Sequence, residues 1–326
     1  MLSKRMKPAF ALVTCAICLS PAAAQDVGSY PTKPIRMLVP YAPGGTTDFA
    51  ARVLGPKLSE SLGQAVVIDN RPGAGSTIGT DAAAKANADG HTIIMVDTGF
   101  ALAPGLYEKL PYDAERDFAA ISEVIRVSNW LVVNPSVPAK TVKELVALAR
   151  AKPGTVKYGS GGVGSPFHMA GEQFRLAAKA DIIHVPYKGG GPAIAALVGG
   201  EVTYAFPTMA VALPLVSSGK LRALAVVAPK RVTVLPEVPT IAEAGMPEVT
   251  LTSWYGVLAP AKTPKALIDK LHREIVQAIR TPDVAKRFST QSAEAIGSSP
   301  QEFTKLIRAE IATWRAVAKA GNIKAE

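Results

Sequence analysis

The sequence has little cysteine and little histidine, and both shortages limit the disulfides, nucleophiles and metal sites that the protein can form. The only cysteines among the 326 residues are Cys15 and Cys18, both within the first 24 positions. Without that segment the chain can form no disulfide and has no thiolate nucleophile, so its core must supply its stability. The four histidines show no metal-site spacing, and no G-x-S-x-G or H-E-x-x-H motif occurs. We expect no metal, no cofactor and no catalytic residue.

Concentrated positive charge is also missing, although the formal net charge is +10. The basic residues are scattered, and no Lys/Arg-rich block or basic stripe interleaved with aromatic residues occurs. This pattern argues against nucleic-acid binding, while the net charge mildly favours acidic ligands.

The first residues have the three parts of a secretory signal peptide. These parts are the basic residues Lys4, Arg5 and Lys7, an apolar stretch over residues 8–20, and three alanines ending at Ala24. The apolar stretch is shorter than the roughly 20 residues of a membrane span. A lipoprotein anchor at Cys15 fits poorly, because Thr14 precedes it. We predict a signal peptide over residues 1–24, cleavage near Ala24 and a periplasmic protein beginning near Gln25.

The local pattern alternates short apolar runs with helical stretches. The runs cover residues 35–39, 66–68, 92–96, 131–133, 182–185 and 221–227. This alternation predicts α/β layers with largely parallel sheets, and the length suggests two domains.

Several helix starts can be located from the sequence. Capping boxes begin at Thr141, Thr240 and Ser299, and prolines suited to a first helical position are Pro264, Pro282 and Pro300. Apolar stripes at helical spacing follow over residues 267–279 and 303–314, so Trp314 is expected in the core.

A glycine-rich stretch, YGSGGVGSPFH at residues 158–168, has the G-x-G-x-x-G spacing of a dinucleotide site. Such a site also needs an acidic residue at the end of the next strand. Asp181 has nearly the right separation but precedes the apolar run. The remaining interpretation is a carboxylate or phosphate site made by backbone amides at a helix start.

The same arrangement occurs a second time, in YAPGGTTD at residues 41–48, again between an apolar strand and a helical pattern that runs to about Leu62. Two such junctions, one in each expected domain, can face each other across a cleft.

The sequence resembles the Bug family of extracytoplasmic solute receptors, which are the binding proteins of tripartite tricarboxylate transporters. The resemblance is carried, in order, by YPTKPIRMLVPYAPGGTTD, NRPGAG, LPYD, HMAGEQF, HVPYKGGGPA, GKLRALAV, LPEVPTIAEAG and a Trp254-Tyr255-Gly256 turn. It implies a type II-like periplasmic binding protein fold, in which two α/β domains close around a cleft. Domain 1 would comprise residues 25–126 plus 226–326 and domain 2 residues 127–225, with crossover hinge strands near 127–133 and 221–227.

The resemblance also implies a ligand site. In the family the first glycine loop grips a ligand carboxylate, partly through ordered water. On this chain the implied ligand-binding residues are Tyr41, Ala42, Gly44, Gly45, Thr46, Thr47, Asp48, Thr98, Ser160, Gly161, Gly162, Val163, Gly164, Ser165, His168, Tyr187 and Lys188.

The resulting hypothesis is a monomeric receptor, not an enzyme, that binds a small organic acid or amino acid and delivers it to the permease subunits of such a transporter. Asp48 or Asp97 could bind the ammonium group of an amino acid, or each could cap a helix or turn. The alternatives are a carboxylate sensor for a membrane signalling partner, a secreted hydrolase using Ser165 and His168, and a dinucleotide-binding oxidoreductase.

Overall fold

A computed structural model describes residues 29–187, 190–290 and 293–325, and within them eleven strands and ten α-helices form. The strands are β1 (Ile35–Val39), β2 (Val66–Asn70), β3 (Thr92–Asp97), β4 (Phe118–Val127), β5 (Asn129–Val133), β6 (Lys157–Ser160), β7 (Ile183–Pro186), β8 (Tyr204–Ala205), β9 (Arg222–Val227), β10 (Ser253–Pro260) and β11 (Ala293–Ala295). The helices are α1 (Thr46–Leu62), α2 (Thr77–Ala84), α3 (Gly99–Leu106), α4 (Val142–Ala151), α5 (Pro166–Ala178), α6 (Gly190–Val198), α7 (Met209–Ser217), α8 (Lys265–Ile279), α9 (Pro282–Ser289) and α10 (Pro300–Gly321). The predicted signal peptide, both cysteines and Lys188 lie outside the described residues.

The strands form two sheets with the same internal order. The first sheet runs β2-β1-β3-β10-β4, with β11 beside β4, and the second runs β7-β6-β8-β5-β9. Two inner strands of the first sheet, β10 and β4, and one inner strand of the second, β5, are antiparallel to both of their neighbours. The α/β architecture expected from the sequence is therefore present, but the expectation of largely parallel sheets is wrong. Of the nine strand pairings among the described residues, four are parallel and five are antiparallel, and the apolar runs did not reveal the strand directions.

The chain passes between the sheets twice. One residue, Ser128, separates β4 of the first sheet from β5 of the second, and residues 228–252 lead from β9 back to β10. The first residues after the two passages are joined by a buried hydrogen bond, in which Ser253 Oγ of β10 donates to Asn129 Oδ1 of β5 at 2.9 Å. These passages lie near the predicted hinge strands, while the domain boundaries themselves stay a prediction.

The long C-terminal helix covers the first sheet with its apolar stripe. Phe303, Ile307, Ile311 and Trp314 of α10 are all buried, as the spacing predicts. The ring of Phe303 meets Trp254 edge-on, with ring centres 5.3 Å apart. Among the described residues, none of the helices combines the length and the apolar character that a membrane span requires.

The predicted starts of local structure were mostly correct, with three exceptions. Thr240 and Glu243 make both hydrogen bonds of a capping box, but these close a turn and no helix follows. Helix α8 begins at Lys265, one residue after Pro264. Trp254 lies in strand β10, not in a turn, because its backbone pairs with Arg126 of β4.

Candidate functional site

The first glycine loop, residues 41–48, joins the end of β1 to helix α1. Gly44 has φ +94°, a conformation that favours glycine, whereas Gly45 is extended (φ −81°, ψ 171°) and precedes the first helical residue. A Cβ atom placed on either glycine would have no neighbour within 4 Å. The loop therefore presents its backbone to open space.

The start of α1 offers several donors to that space. The first hydrogen bond of the helix runs from the amide of Phe49 to the carbonyl of Gly45, at 2.9 Å. Within the part of the chain that the structure describes, the amides of Thr46, Thr47 and Asp48 have no hydrogen-bond partner. Unpaired amides at a helix start, together with the helix dipole, favour an anion.

Asp48 holds the first glycine loop in shape. Its carboxylate is buried and accepts hydrogen bonds from the amide of Gly44, from Arg52 Nε and from Asn70 Nδ2, each at 2.9 Å. Burial alone would raise the pKa of Asp48, but the hydrogen bonds from Arg52, Gly44 and Asn70 outweigh it and lower the pKa. The carboxylate is thus ionised and fully engaged inside the protein.

Asp97, at the end of β3, fixes the other side of the loop. It accepts hydrogen bonds from Tyr41 Oη at 2.7 Å, from the amide of Gly99 at 2.9 Å and from Thr47 Oγ1 at 3.2 Å. Burial raises the pKa of Asp97, and these hydrogen bonds offset the effect only in part. Asp97 therefore serves as a structural acceptor that joins β3 to the first glycine loop.

Thr98 is close to this loop, but its side chain is used elsewhere. The residue is fully buried; its hydroxyl donates to the carbonyl of Thr252 at 3.3 Å and accepts from the amide of Trp254 at 3.1 Å. The hydroxyl thus ties the end of β3 to the chain entering β10.

The second glycine loop, residues 160–165, joins β6 to α5. Gly162 and Gly164 have φ values of +119° and +78°. The amide of Gly162 donates to Ser160 Oγ at 3.1 Å, and that of Gly164 donates to His168 Nδ1 at 3.0 Å. Among the described residues, the amides of Gly161 and Val163 have no hydrogen-bond partner. The loop thus turns the amides of Gly162 and Gly164 toward the protein.

The polar side chains of the second loop are largely engaged. Ser165 caps α5, accepting from the amide of His168 at 3.3 Å, while Ser160 is fully buried and lies 2.6 Å from His184 Nε2. The Ser165 hydroxyl thus meets the backbone of His168 and not its ring, so these residues do not form the nucleophile and base of a hydrolase.

Tyr187 follows the neighbouring strand β7. Its amide donates to the carbonyl of Ser160 at 2.9 Å, and its hydroxyl donates to Glu201 Oε2 at 3.4 Å. Lys188, which follows it, lies outside the described residues.

The two loops occupy equivalent places in the two sheets. Each follows the first strand of the parallel set, β1 or β6, and each precedes a helix, α1 or α5. Ligands of open α/β sheets bind outside the carboxyl ends of such strands. The second loop also reaches the first sheet's helices, since a Cβ on Gly164 would lie 2.8 Å from Leu106 at the end of α3.

Sequence reasoning missed three residues that shape these loops. Arg52 and Asn70 bind Asp48, and His184 binds Ser160. Arg52 could have been found, because it stands four positions after Asp48 on a predicted helix, a spacing that favours an ion pair. Asn70 and His184 are distant in sequence from their partners and gave no comparable signal.

Comparison with known proteins matches residues 50–323 to the model of the tripartite tricarboxylate transporter family receptor. Protein BugT of Bordetella pertussis is 40% identical over 93% of this chain and 94% of its own length. An R. palustris protein solved with adipate is 36% identical, with a TM-score of 0.80 over 90% of this chain and 99% of its own. The periplasmic binding protein BugD is 31% identical, with a TM-score of 0.78 over 91% of this chain and 100% of its own. The family match, the sequence identity and the shared two-sheet architecture agree, and the chain belongs to the tripartite tricarboxylate transporter receptor family of periplasmic solute-binding proteins.

Proposed function

We propose that the protein is an exported receptor that holds a small carboxylate between its two glycine loops and delivers it to the permease of a tripartite tricarboxylate transporter. The observation that carries this proposal is that, among the described residues, backbone amides at equivalent places in the two sheets have no hydrogen-bond partner. Because buried or partly buried amides need an acceptor, each loop offers a place for one anionic group.

The engagement of the acidic side chains narrows the ligand class. Asp48 and Asp97 each accept three hydrogen bonds from the protein, so neither has its carboxylate directed to an ammonium group. This favours the cap-and-turn interpretation of both residues over the amino-acid interpretation. With one anion site in each loop, the best ligand is a dicarboxylate without an amino group. The adipate bound by the R. palustris relative is of that class.

The role of a transport receptor requires a clamp that closes on its ligand. A dicarboxylate held by both loops has more partners when the loops approach, and such differential affinity shifts a protein toward its closed form. The proposed clamp has domain 1 over residues 25–126 plus 226–326 and domain 2 over residues 127–225. Closure would then be the signal that the permease reads, and a monomer is sufficient for it.

The other functions have less support. A sensor for a signalling partner would use the same closed clamp, so only a cellular experiment separates it from a transport receptor. A hydrolase lacks the Ser165–His168 pair described above, and Ser160 beside His184 is fully buried. A dinucleotide site would need an acid at the far end of β7, where Pro186 and Tyr187 stand.

Binding is tested by calorimetry on protein that has been unfolded and refolded to remove endogenous ligand. The probes are adipate, malate, aspartate and acetate, and we expect the dicarboxylates without an amino group to bind best. Stronger binding of aspartate would contradict the assigned ligand class, and no binding of any carboxylate would contradict the site. Deletion of the gene should abolish uptake of the best probe; normal uptake with a lost transcriptional response would favour the sensor.

The proposed export has its own test. The secreted protein should begin near Gln25 and contain no thiol, because both cysteines precede that residue. Intact mass and thiol titration measure this, and retention of Cys15 or a lipid adduct would contradict it.

A further inference from the structure

Two histidines lie directly behind the second glycine loop, in a cluster of aromatic and charged side chains. The rings of His168 and His184 are stacked, with centres 4.0 Å apart and planes 20° from parallel. Tyr158 lies beside both rings, with its ring centre 4.8 Å from that of His184 and 6.3 Å from that of His168. His168 is 4% exposed, so the cluster has no direct access to solvent through that ring.

Each histidine contacts a different part of the loop. His168 Nδ1 accepts the hydrogen bond from the amide of Gly164 at 3.0 Å. His184 Nε2 lies 2.6 Å from Ser160 Oγ, and that oxygen both accepts from the amide of Gly162 and donates to its carbonyl, at 3.1 Å in each case. The two glycines with positive φ are therefore each held by a histidine, one directly and one through Ser160.

We propose that His168 and His184 are positioning residues, which in their neutral form hold Gly164 and Gly162 inward so that the amides of Gly161 and Val163 are left for the ligand carboxylate. This deepens, and rests on, the function proposed above. The bond to Gly164 defines the required state of His168, because Nδ1 can accept a hydrogen bond only when it carries no proton. The ring must therefore be the neutral tautomer with its proton on Nε2.

The surroundings keep both rings neutral. Burial lowers the pKa of His168 to about 4, Glu172 opposes that shift, and Arg175 adds to it. Burial likewise lowers the pKa of His184 to about 4, with the neighbouring His168 adding to the effect. The other titratable groups that face the pair are Tyr158, whose hydroxyl donates to Glu172 at 2.6 Å, and Tyr204, stacked on Tyr158. Burial of Tyr158 and Tyr204 raises the pKa of each hydroxyl, so both stay protonated.

A physical reason for two histidines follows from this environment. Protonation of His168 at Nδ1 would place its N–H group opposite the N–H group of Gly164. Protonation of both histidines would also place two positive charges on rings whose centres are 4.0 Å apart, and these charges would repel each other. Since both pKa values lie well below 7, the loop keeps its shape through moderate acidification of the periplasm. A solvated histidine, with a pKa near 6.5, would lose this bond in the same range.

The test combines two variants with a spectroscopic measurement. His168→Leu removes the acceptor, whereas His168→Asn places an amide oxygen near the position of Nδ1 and cannot be protonated. With adipate as the probe at pH 7, we expect about tenfold weaker binding for His168→Leu, the loss of one hydrogen bond, and a change below about threefold for His168→Asn. Thr141→Ala, which removes the cap of α4 elsewhere in the chain, controls for a general loss of stability.

Nitrogen-15 NMR of the ligand-free protein gives a second readout. We expect His168 to be neutral and protonated on Nε2 at pH 7 and at pH 5, and the Gly164 amide to titrate with it only near pH 4. An Nδ1–H tautomer, a titration near 6.5, or wild-type affinity in His168→Leu would overturn the proposal. If the wild-type protein binds no carboxylate, the proposed function fails, while the NMR result still decides the role of the histidines.

Discussion

Substituting Gly45 by valine tests the amide grip with little change elsewhere. Gly45 is extended, in a region that valine adopts readily, and its Cβ position has no protein atom within 4 Å. The folded protein can therefore accept the side chain. Valine is a poorer helix cap than glycine, so we expect the free energy of unfolding to fall by about 1 kcal/mol.

The effect on binding should be much larger than the effect on stability. The branched side chain would fill the space in front of the amides of Thr46 and Thr47, where a carboxylate oxygen must approach. Each hydrogen bond to a charged group contributes roughly 1.5 to 3 kcal/mol. Loss of two such bonds, about 3 to 6 kcal/mol, corresponds to a roughly 10²- to 10⁴-fold increase in Kd.

Calorimetry with adipate measures Kd, and urea unfolding monitored by circular dichroism measures stability. Gly199→Val is the matched control, since Gly199 follows α6, outside both loops, and a Cβ there would make only ordinary contacts, the nearest at 3.4 Å from the carbonyl of Ala195. Gly45→Ala, with a single methyl group, should give an intermediate loss. Unchanged affinity in Gly45→Val, with wild-type protein binding adipate, would refute the amide grip at the first loop.

Four further outcomes are expected. Ser165→Ala should lower the free energy of unfolding by about 1 kcal/mol through loss of the helix cap, with less than a tenfold change in Kd, and a larger change would mean that the hydroxyl binds the ligand. Asp97→Asn should lower the free energy of unfolding by about 1 to 3 kcal/mol, because the NH₂ group of asparagine would face one of the three groups that now donate to the carboxylate. A wild-type urea midpoint would contradict this. The pKa of His168 is about 4 in the folded protein and near 6.5 in the unfolded chain. The contribution of neutral His168 to the free energy of unfolding is therefore complete above pH 6.5 and falls by up to about 3 kcal/mol as the pH drops toward 4. Urea titrations without that pH dependence would contradict this. Small-angle scattering should show a smaller radius of gyration with adipate, and identical curves at saturation would exclude a closing clamp.

The elements predicted most accurately are those with strong local signals. Strand β1 covers exactly the apolar run at residues 35–39, and α1 ends at Leu62 as the helical pattern indicated. The caps at Thr141 and Ser299 form because the bonding partner is three residues away, within the same turn. Local chemistry decides such features, and the sequence displays it directly.

Strand β4 of the first sheet was missed for a physical reason. Strand β4 contains Ser122, Glu123 and Arg126, which interrupt its apolar pattern. In the fold Glu123 and Arg126 neutralise each other through two hydrogen bonds, at 2.8 and 2.6 Å, so both can lie in a largely buried strand. Burial raises the pKa of Glu123, and its pairing with Arg126 opposes the shift. A pattern based on hydrophobicity cannot anticipate charges that are paired after folding.

The candidate site shows the same limit at the scale of single hydrogen bonds. The second loop has three glycines, Gly161, Gly162 and Gly164, and the sequence gives no reason to rank one amide above another. In the fold the amides of Gly162 and Gly164 turn toward Ser160 and His168, whereas those of Gly161 and Val163 have no partner among the residues that the structure describes. The choice depends on His184, which approaches from another strand, 24 residues beyond Ser160. A glycine motif therefore predicts that backbone can approach an anion, whereas the side chains packed behind the loop determine which donors the anion meets.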